Sequence, residues 1–430
     1  MIDSGLLVYA VLTFLFVWRM LCPWRCCGIW LQYANYASLL YFALFIDVVY
    51  NVAVFYRTVL GSNGPSVWLH CNGWMKPVGL LAPVAICVTL GCCFAQTITH
   101  IRAIRRGKAP LKHDRVVQIL ALPVVYGAMA MSNVTRFFEL SASGGADVFN
   151  ISEASMEKGD RTLDDALSQL QGTTLGQVQL AISKSETAFM VADLYEAWAL
   201  YQFLKLTLEL LAHSASESAR DATDAERRGE GRTIVKFFSA IESLSWMGVI
   251  QFLVVTLLMA GWSLYLLVFA ASKSTWEEWN EYMAQFKAAG TIASFAAIWN
   301  VHIVESRFHG HLGGFFPLMK FVTVKILVSI AFFQRYALSA LKVIDQNLPD
   351  LMRKIVAKMP VLGDMVHMSL VEFELFYASL IVFECVLVAG LHWLAWGASE
   401  EWYGGETGDG SESAEEADGE KQPLVAKSSK

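Results

Sequence analysis

The stretch FFPLMKFVTVKILVSIAFFQRY, from Phe315 to Tyr336, constrains the fold more than any other part of the chain. A helix of that length rises about 1.5 Å per residue and covers roughly 30 Å, the thickness of a bilayer's hydrocarbon core. Yet it carries Lys320, Lys325 and Gln334. A charge at such depth costs at least about 2.5 kcal/mol on insertion scales. Lys320, near one end, is expected to snorkel to the interface. Lys325 lies too deep for that and requires a carboxylate partner or a wet cavity. At about 100° per residue, Lys320 and Gln334 fall roughly 40° apart, whereas Lys325 points about 140° away from Lys320. The helix is therefore expected to have two polar faces and protein on most sides.

Apolar runs of spanning length recur at Gly5 to Leu21, Tyr36 to Tyr56, Pro77 to Thr99, Val116 to Leu140, Glu186 to Leu211, Trp246 to Ala271, Met283 to Ile303, Phe315 to Tyr336 and Leu370 to Trp396. They predict nine helices and an all-α, polytopic membrane protein. A composition of 55% hydrophobic and only 17% charged residues agrees with this reading. The first run follows Asp3 and leads into CPWRCC, not a small-residue cleavage site, so it is read as a retained helix. The net charge of −6 belongs to the tail from Gly397 to Lys430, which holds nine acids and three bases. The remainder is balanced, with 30 residues of each sign, and has no basic face to suggest nucleic acid as a partner.

Orientation follows from HIRAIRRGKAPLKHDR, His100 to Arg115, where six bases face one acid; such a loop is expected in the cytoplasm. Counting helices from it places the N-terminus and the loop from Ser141 to Ser185 outside, and the C-terminus inside. Asn150, in Asn-Ile-Ser, is then a candidate glycosylation site. Cys22, Cys26 and Cys27 would lie at the cytoplasmic surface as candidates for S-acylation. DQNLPDLMRKIVAKM sets Leu348, Leu351, Met352, Ile355 and Met359 at helical spacing and reads as an interfacial amphipathic helix. The acidic tail lacks the apolar content to fold alone; its EKQPLV, at Glu420 to Val425, resembles a dileucine sorting signal.

Three segments carry a resemblance: DLYEAWALYQFLKL at Asp193 to Leu206, GVIQF at Gly248 to Phe252, and KFVTVK followed by Gln334. With His100, Pro110, Arg115, Pro123, Tyr126 and Ser132, they make the chain similar to the organic solute transporter subunit alpha / transmembrane protein 184 family. The likeness covers about His100 to Trp396 plus the preceding helix. It implies a seven-helix domain over residues 74–396; the two additional N-terminal helices over 1–60 lie outside it, and the acidic tail over 397–430 is expected from its composition to be disordered. Two positions depart from the family pattern. Thr256-Leu257 stands where a base and a proline are expected, and His367-Met368 where Gln-Asn is expected.

What the resemblance implies is facilitated diffusion of small amphipathic organic solutes or lipids, such as bile acids and conjugated steroids, with a single-span beta-type subunit or in a homo-oligomer. Other members imply an alternative: a receptor-like or vesicle-trafficking scaffold that transports nothing. The plasma membrane and endomembranes, vacuolar or endosomal, both fit. The residues themselves suggest a similar site. A carrier of amphipathic anions needs an apolar cavity with a few polar groups near mid-membrane, and Lys320, Lys325, Gln334, Tyr126, Tyr201, Glu196 and Asp193 are suitable. Lys325 lies about 14 Å in from Phe316, and Glu196 about 14 Å in from Thr187 at the other side, so the two share a depth. Glu196 is the expected partner of Lys325, with Glu384 and Asp193 as alternatives. Lys205 and Glu209, four apart, are expected to pair along their helix.

Enzyme signatures are absent in any supporting context: there is no nucleophile elbow, HExxH, P-loop or GxGxxG. His302, Glu305, His309 and His311 cluster in sequence, but FHGHLGG fits no zinc-ligand spacing. The expectation is a non-enzyme that needs neither metal nor cofactor.

Overall fold

The computed structural model describes residues 33–61, 75–144, 174–220, 246–265 and 315–406 (single positions at 348, 357, 360, 361 and 367 excepted), plus isolated residues at 14, 243 and between 292 and 306. Every regular element among them is helical. In chain order these are α1 (Tyr33–Leu60), α2 (Met75–Arg105), α3 (Pro110–Leu120), α4 (Leu122–Gly144), α5 (Thr174–Arg220), α6 (Trp246–Tyr265), α7 (Pro317–Asn347), α8 (Asp350–Val356), α9 (Leu362–Val366) and α10 (Leu370–Ala395). A 3-10 turn over Glu401–Glu406 follows.

Five stretches are long and apolar enough to cross a membrane: Ala37–Leu60, Pro77–Arg105, Pro110–Ser143, Trp246–Tyr265 and Leu370–Ala395. α7 makes a sixth if its two halves, which meet at a 43° bend between Leu327 and Ser329, count as one span. The protein is thus an all-α, polytopic membrane protein. Of the nine expected spans, Gly5 to Leu21 and Met283 to Ile303 lie almost wholly outside the described residues, as do Asn150, Cys22, Cys26, Cys27, the sorting-like EKQPLV and most of the His302 cluster. The others coincide with α1, α2, α3–α4, α5, α6, α7 and α10. α5 is longer than its apolar run: its 47 residues reach about 70 Å. The connection expected from Ser141 to Ser185 shrinks to residues 145–173, because α4 runs on to Gly144 and α5 starts at Thr174.

α3 and α4 form one span interrupted at Ala121, since Pro123 has no N–H to continue the ladder. This span is the axis of the bundle: its most apolar window is wholly buried, against 39% for α1, α2 and α6. α1, α2, α5 and α10 all pack on α4. Gly127 allows the closest approach, since a Cβ there would lie 2.6 Å from Ile86 on α2 and 3.5 Å from Cys385 on α10. α1, assigned by sequence to a segment outside the seven-helix core, buries Leu40, Leu44, Val48 and Phe55 against this axis. A capping box opens α10: Ser369 Oγ accepts from the Glu372 N–H at 3.2 Å, and Glu372 Oε2 accepts from the Ser369 N–H at 2.9 Å.

One end of the bundle gathers the turn after α2, the start of α7 and the end of α10. Gln96 donates from α2 to the carbonyls of His392 and Trp396, both at 2.9 Å, and Trp396 Nε1 donates to Thr323 Oγ1 on α7 at 3.1 Å. The basic turn and the C-terminal end of α10 therefore share a side, as the charge pattern requires. The amphipathic segment is divided: its first residues continue α7 to Asn347, and Asp350–Val356 forms short α8, leaving Met352, Ile355 and Met359 exposed.

Candidate functional site

The motif segments that lie far apart in sequence converge on Lys325. Its Nζ donates to Glu196 Oε1 on α5 at 2.6 Å and sits 5.0 Å from the centre of the Phe252 ring on α6. Both charged side chains are buried, with 7% of Lys325 and 1% of Glu196 exposed. Low dielectric strengthens such a pair while making either member alone expensive. Glu196 was the partner expected from depth, and α5 presents it because Asp193 and Glu196, three residues apart, share the face between α4 and α7. One turn away, Tyr126 on α4 donates its hydroxyl to Asp193 Oδ1.

The second polar face of α7 looks toward α10. Gln334 Nε2 donates to Glu384 Oε1, and Arg335 Nη2 donates to Glu374 Oε1 at 3.0 Å, with Glu186 3.8 Å away. Glu384, the alternative partner for Lys325 on depth, is sent by the helix rotation to Gln334 instead. Glu384 Oε2 and Gln334 Oε1 are buried acceptors without a donor among the described residues. A water, a solute hydroxyl or a proton on Glu384 would satisfy them.

Lys320 corrects one expectation. It does not snorkel: it is 2% exposed, held by Glu400 Oε2 at 2.6 Å beneath the segment that follows α10. Its Nζ lies 5.0, 5.3 and 5.7 Å from the ring centres of Phe315, Trp396 and Trp402. Glu400 also accepts from the Gly397 N–H at 2.6 Å and from Trp402 Nε1 at 2.7 Å, which folds the chain back over the bundle end. There Tyr403 stacks on His113, with ring centres 3.9 Å apart, and His113 Nδ1 meets His100 Nδ1 at 2.9 Å. Burial beside Glu400 holds the Tyr403 phenol well above its ordinary pKa. This strap is a correction to the sequence reading, in which Glu400 and Trp402 belong to a solvated, disordered tail.

α7 is also less enclosed than expected. Met319, Val322, Phe333 and Tyr336 lie on an exposed stripe, while Lys320, Val324, Lys325 and Leu327 are buried. Tyr201 makes aromatic contacts instead of joining the Lys325–Glu196 pair: it is stacked on Trp198 at 5.4 Å and tilted against Trp246 at 5.2 Å. Glu209 reaches across to α3, accepting from both terminal nitrogens of Arg115. Thr256, at one of the two departures, turns its hydroxyl onto the Phe252 carbonyl of its own helix at 2.9 Å. Around Glu196, α5 is fixed by Tyr195 donating to the Gln118 carbonyl at 2.5 Å and Trp198 Nε1 donating to Gln118 Oε1 at 2.8 Å, at the break before α4.

A separate cavity of about 580 Å³ opens at the opposite end of the bundle from the strap, between α1, α4 and α5. Arg136, Lys184, Glu139, Gln177, Ser132 and Thr135 are among its polar lining, and Val54, Leu140 and Leu180 among its apolar lining.

The helices and their interior ion pairs define an integral, multi-pass membrane protein with a polar core. The family profile of the organic solute transporter Ostalpha matches residues 177–401. The chain belongs to that family. The match covers α5 to α10 and the Lys320, Lys325 and Gln334 contacts; α1 to α4 lie outside it. No curated protein and no solved structure matches the chain.

Proposed function

We propose that this protein is a transporter, or the transporting subunit of one, for small amphipathic organic solutes or lipids. The observation that carries the reading is the family match over the same helices that enclose Lys325 and Glu196. Charges are kept inside a bilayer where a pathway or an interior pair uses them, and the orphaned acceptors of Gln334 and Glu384, on the other polar face of α7, suit a solute bearing hydroxyls. In this reading Lys320 and Lys325 with Glu196, Asp193, Tyr126, Tyr201 and Gln334 line or support the route, and movement is by facilitated diffusion. The basic turn and the C-terminus face the cytoplasm, a single-span beta-type partner or a second copy completes the assembly, and no enzymatic step is needed.

Uptake of labelled steroid sulfates or bile-salt conjugates into proteoliposomes, with and without a co-expressed single-span partner, tests this. Saturable uptake that requires the protein is expected. Tight membrane insertion and correct folding with no uptake in either arm would leave the receptor-like or trafficking scaffold.

A further inference from the structure

We infer that Glu384 on α10 and Gln334 on α7 form a proton-binding site: one proton on Glu384 Oε2 closes the pair as a neutral acid–amide ring that ties the half of α7 beyond its bend to α10. The site itself needs no solute, so it stands apart from the transport reading.

The pair is one donor short. Gln334 Nε2 donates to Glu384 Oε1, yet the remaining oxygens, Gln334 Oε1 and Glu384 Oε2, are buried with no donor among the described residues. These two leftover acceptors belong to side chains that already touch. The pair is also one positive charge short. Glu384 is 8% exposed, near the middle of α10, and no cation among the described residues pairs with it. Lys325 meets Glu196 at 2.6 Å, and Arg335 meets Glu374 at 3.0 Å with Glu186 at 3.8 Å.

A water between the two oxygens would donate to both but leave an unpaired carboxylate at bilayer depth, where a lone charge costs far more than an unmade neutral hydrogen bond. A proton removes the charge and supplies the donor together. The carboxylic acid then offers one donor and one acceptor to the amide's acceptor and donor, so that Oε2–H reaches Gln334 Oε1 while Gln334 Nε2 keeps Glu384 Oε1. The proton comes from water, and nothing is oxidised or reduced.

The surrounding titratable groups do not replace that proton. Tyr377 and Cys385 lie in the field of Glu384 on its own helix; Cys93 from α2 reaches Cys385, and Asp193 from α5 and Tyr126 from α4 reach Tyr377. Arg335, the cation among the groups around Tyr377, is bonded to Glu374.

The position gives the proton mechanical leverage. The halves of α7 meet at 43° between Leu327 and Ser329. The first half is tied to α10 through Thr323, whose carbonyl meets His392 Nε2 at 3.0 Å and whose hydroxyl accepts from Trp396. The second half is tied by Tyr377 donating to the Ala331 carbonyl at 3.2 Å, by Arg335 and by Gln334. Losing the proton sets a carboxylate oxygen against the amide oxygen and weakens one of these three ties. A solute hydroxyl that takes the same acceptors must displace the proton, so in the transport reading solute binding here releases one proton and strengthens as pH rises.

The test is infrared spectroscopy of the full chain in nanodiscs at neutral pH, with the side-chain carboxyl of glutamate labelled with carbon-13. The wild type should show the carbonyl stretch of a protonated acid that moves with the label, and Glu384→Gln should lose it. Gln334→Met keeps the acid but removes its partner, and should shift the band to higher frequency. Thermal melts give a second readout. The folded wild type holds a proton that the unfolded chain releases, so its stability falls as pH rises. From about pH 5 to about pH 9 its melting temperature should drop by about 2 °C or more relative to Glu384→Gln, which cannot titrate there.

A wild type without a labelled acid band overturns the inference with no variant required. So does an equal band in folded Glu384→Gln, an unmoved band in folded Gln334→Met, or parallel melting profiles. A protein with the band and no uptake keeps the proton site and loses the transport reading; uptake without the band does the reverse.

Discussion

Lys325 on α7 and Glu196 on α5 join at 2.6 Å, although 129 residues separate them in sequence. The pair holds the family-matched helices together at mid-depth, and replacing either member strands the other. Lys325→Met and Glu196→Gln should each cost about 3–5 kcal/mol, seen as lost monodisperse protein in fluorescence-detected size exclusion and a lower melting temperature. The double variant should recover much of the loss. Strictly additive losses would show that the two are not energetically coupled.

Glu384 should behave in the opposite way. Among the described residues its hydrogen-bond partner is the Gln334 amide, and one oxygen on each side chain is an orphaned acceptor. Glu384→Gln supplies an N–H donor in the same shape, so its melting temperature should match or exceed that of the wild type. A loss as large as that of Glu196→Gln would mean that Glu384 must be ionised.

The strap after α10 should contribute to stability while the tail beyond it does not. Glu400→Ala removes the acceptor for Lys320, Gly397 and Trp402 together and leaves a buried ammonium among aromatic rings. A loss of about 3 kcal/mol is expected. Truncation after Glu406 should leave the melting temperature unchanged, and thermal-shift measurements in detergent compare the two.

Packing at Gly127 sets a size limit. Gly127→Ala presses on Ile86 Cδ1, the mobile end of a side chain, and gains helix propensity of roughly 1 kcal/mol, so it should be tolerated. Gly127→Leu also meets Cys385 across the α4–α10 contact and should cost about 1–3 kcal/mol or more. Thermal melts of the two variants separate these outcomes.

Topology gives the last prediction. The Gln96 bonds to the last turn of α10 put the basic turn and the C-terminal end of α10 on one side. A tag after Lys430 should therefore be digested from the cytosolic face of sealed vesicles, and a glycan on Asn150 should be protected. A protected C-terminal tag would reverse the orientation drawn from the basic turn.

The sequence by itself determined the helices and much of the interior chemistry. Apolar runs of bilayer length appear wherever the backbone must satisfy its own hydrogen bonds in lipid, so α1, α2, α4, α6, α7 and α10 were legible from length and hydropathy. Depth along a helix is a function of residue number alone, which is why Lys325 and Glu196 could be matched before any fold was known. The 100° rotation per residue likewise separated Lys325 from Lys320 and Gln334, and the structure sends them to α5 and to the α10 side respectively.

Only the tertiary structure decided which neighbour stands at each azimuth and where the chain doubles back. Depth favours Glu196 but leaves Glu384 open, since both lie near mid-span and the outcome depends on how α7 is rotated against α5 and α10. Nor could hydropathy find the strap: Glu400 and Trp402 are polar and aromatic residues beyond a helix end, and become structural because Lys320 lies beneath them. The cavity was invisible for the same reason. Arg136 and Lys184 are unremarkable one at a time, and they share a space because α1 is pinned to α4 and α5 passes beside both, contacts made between residues far apart in the chain.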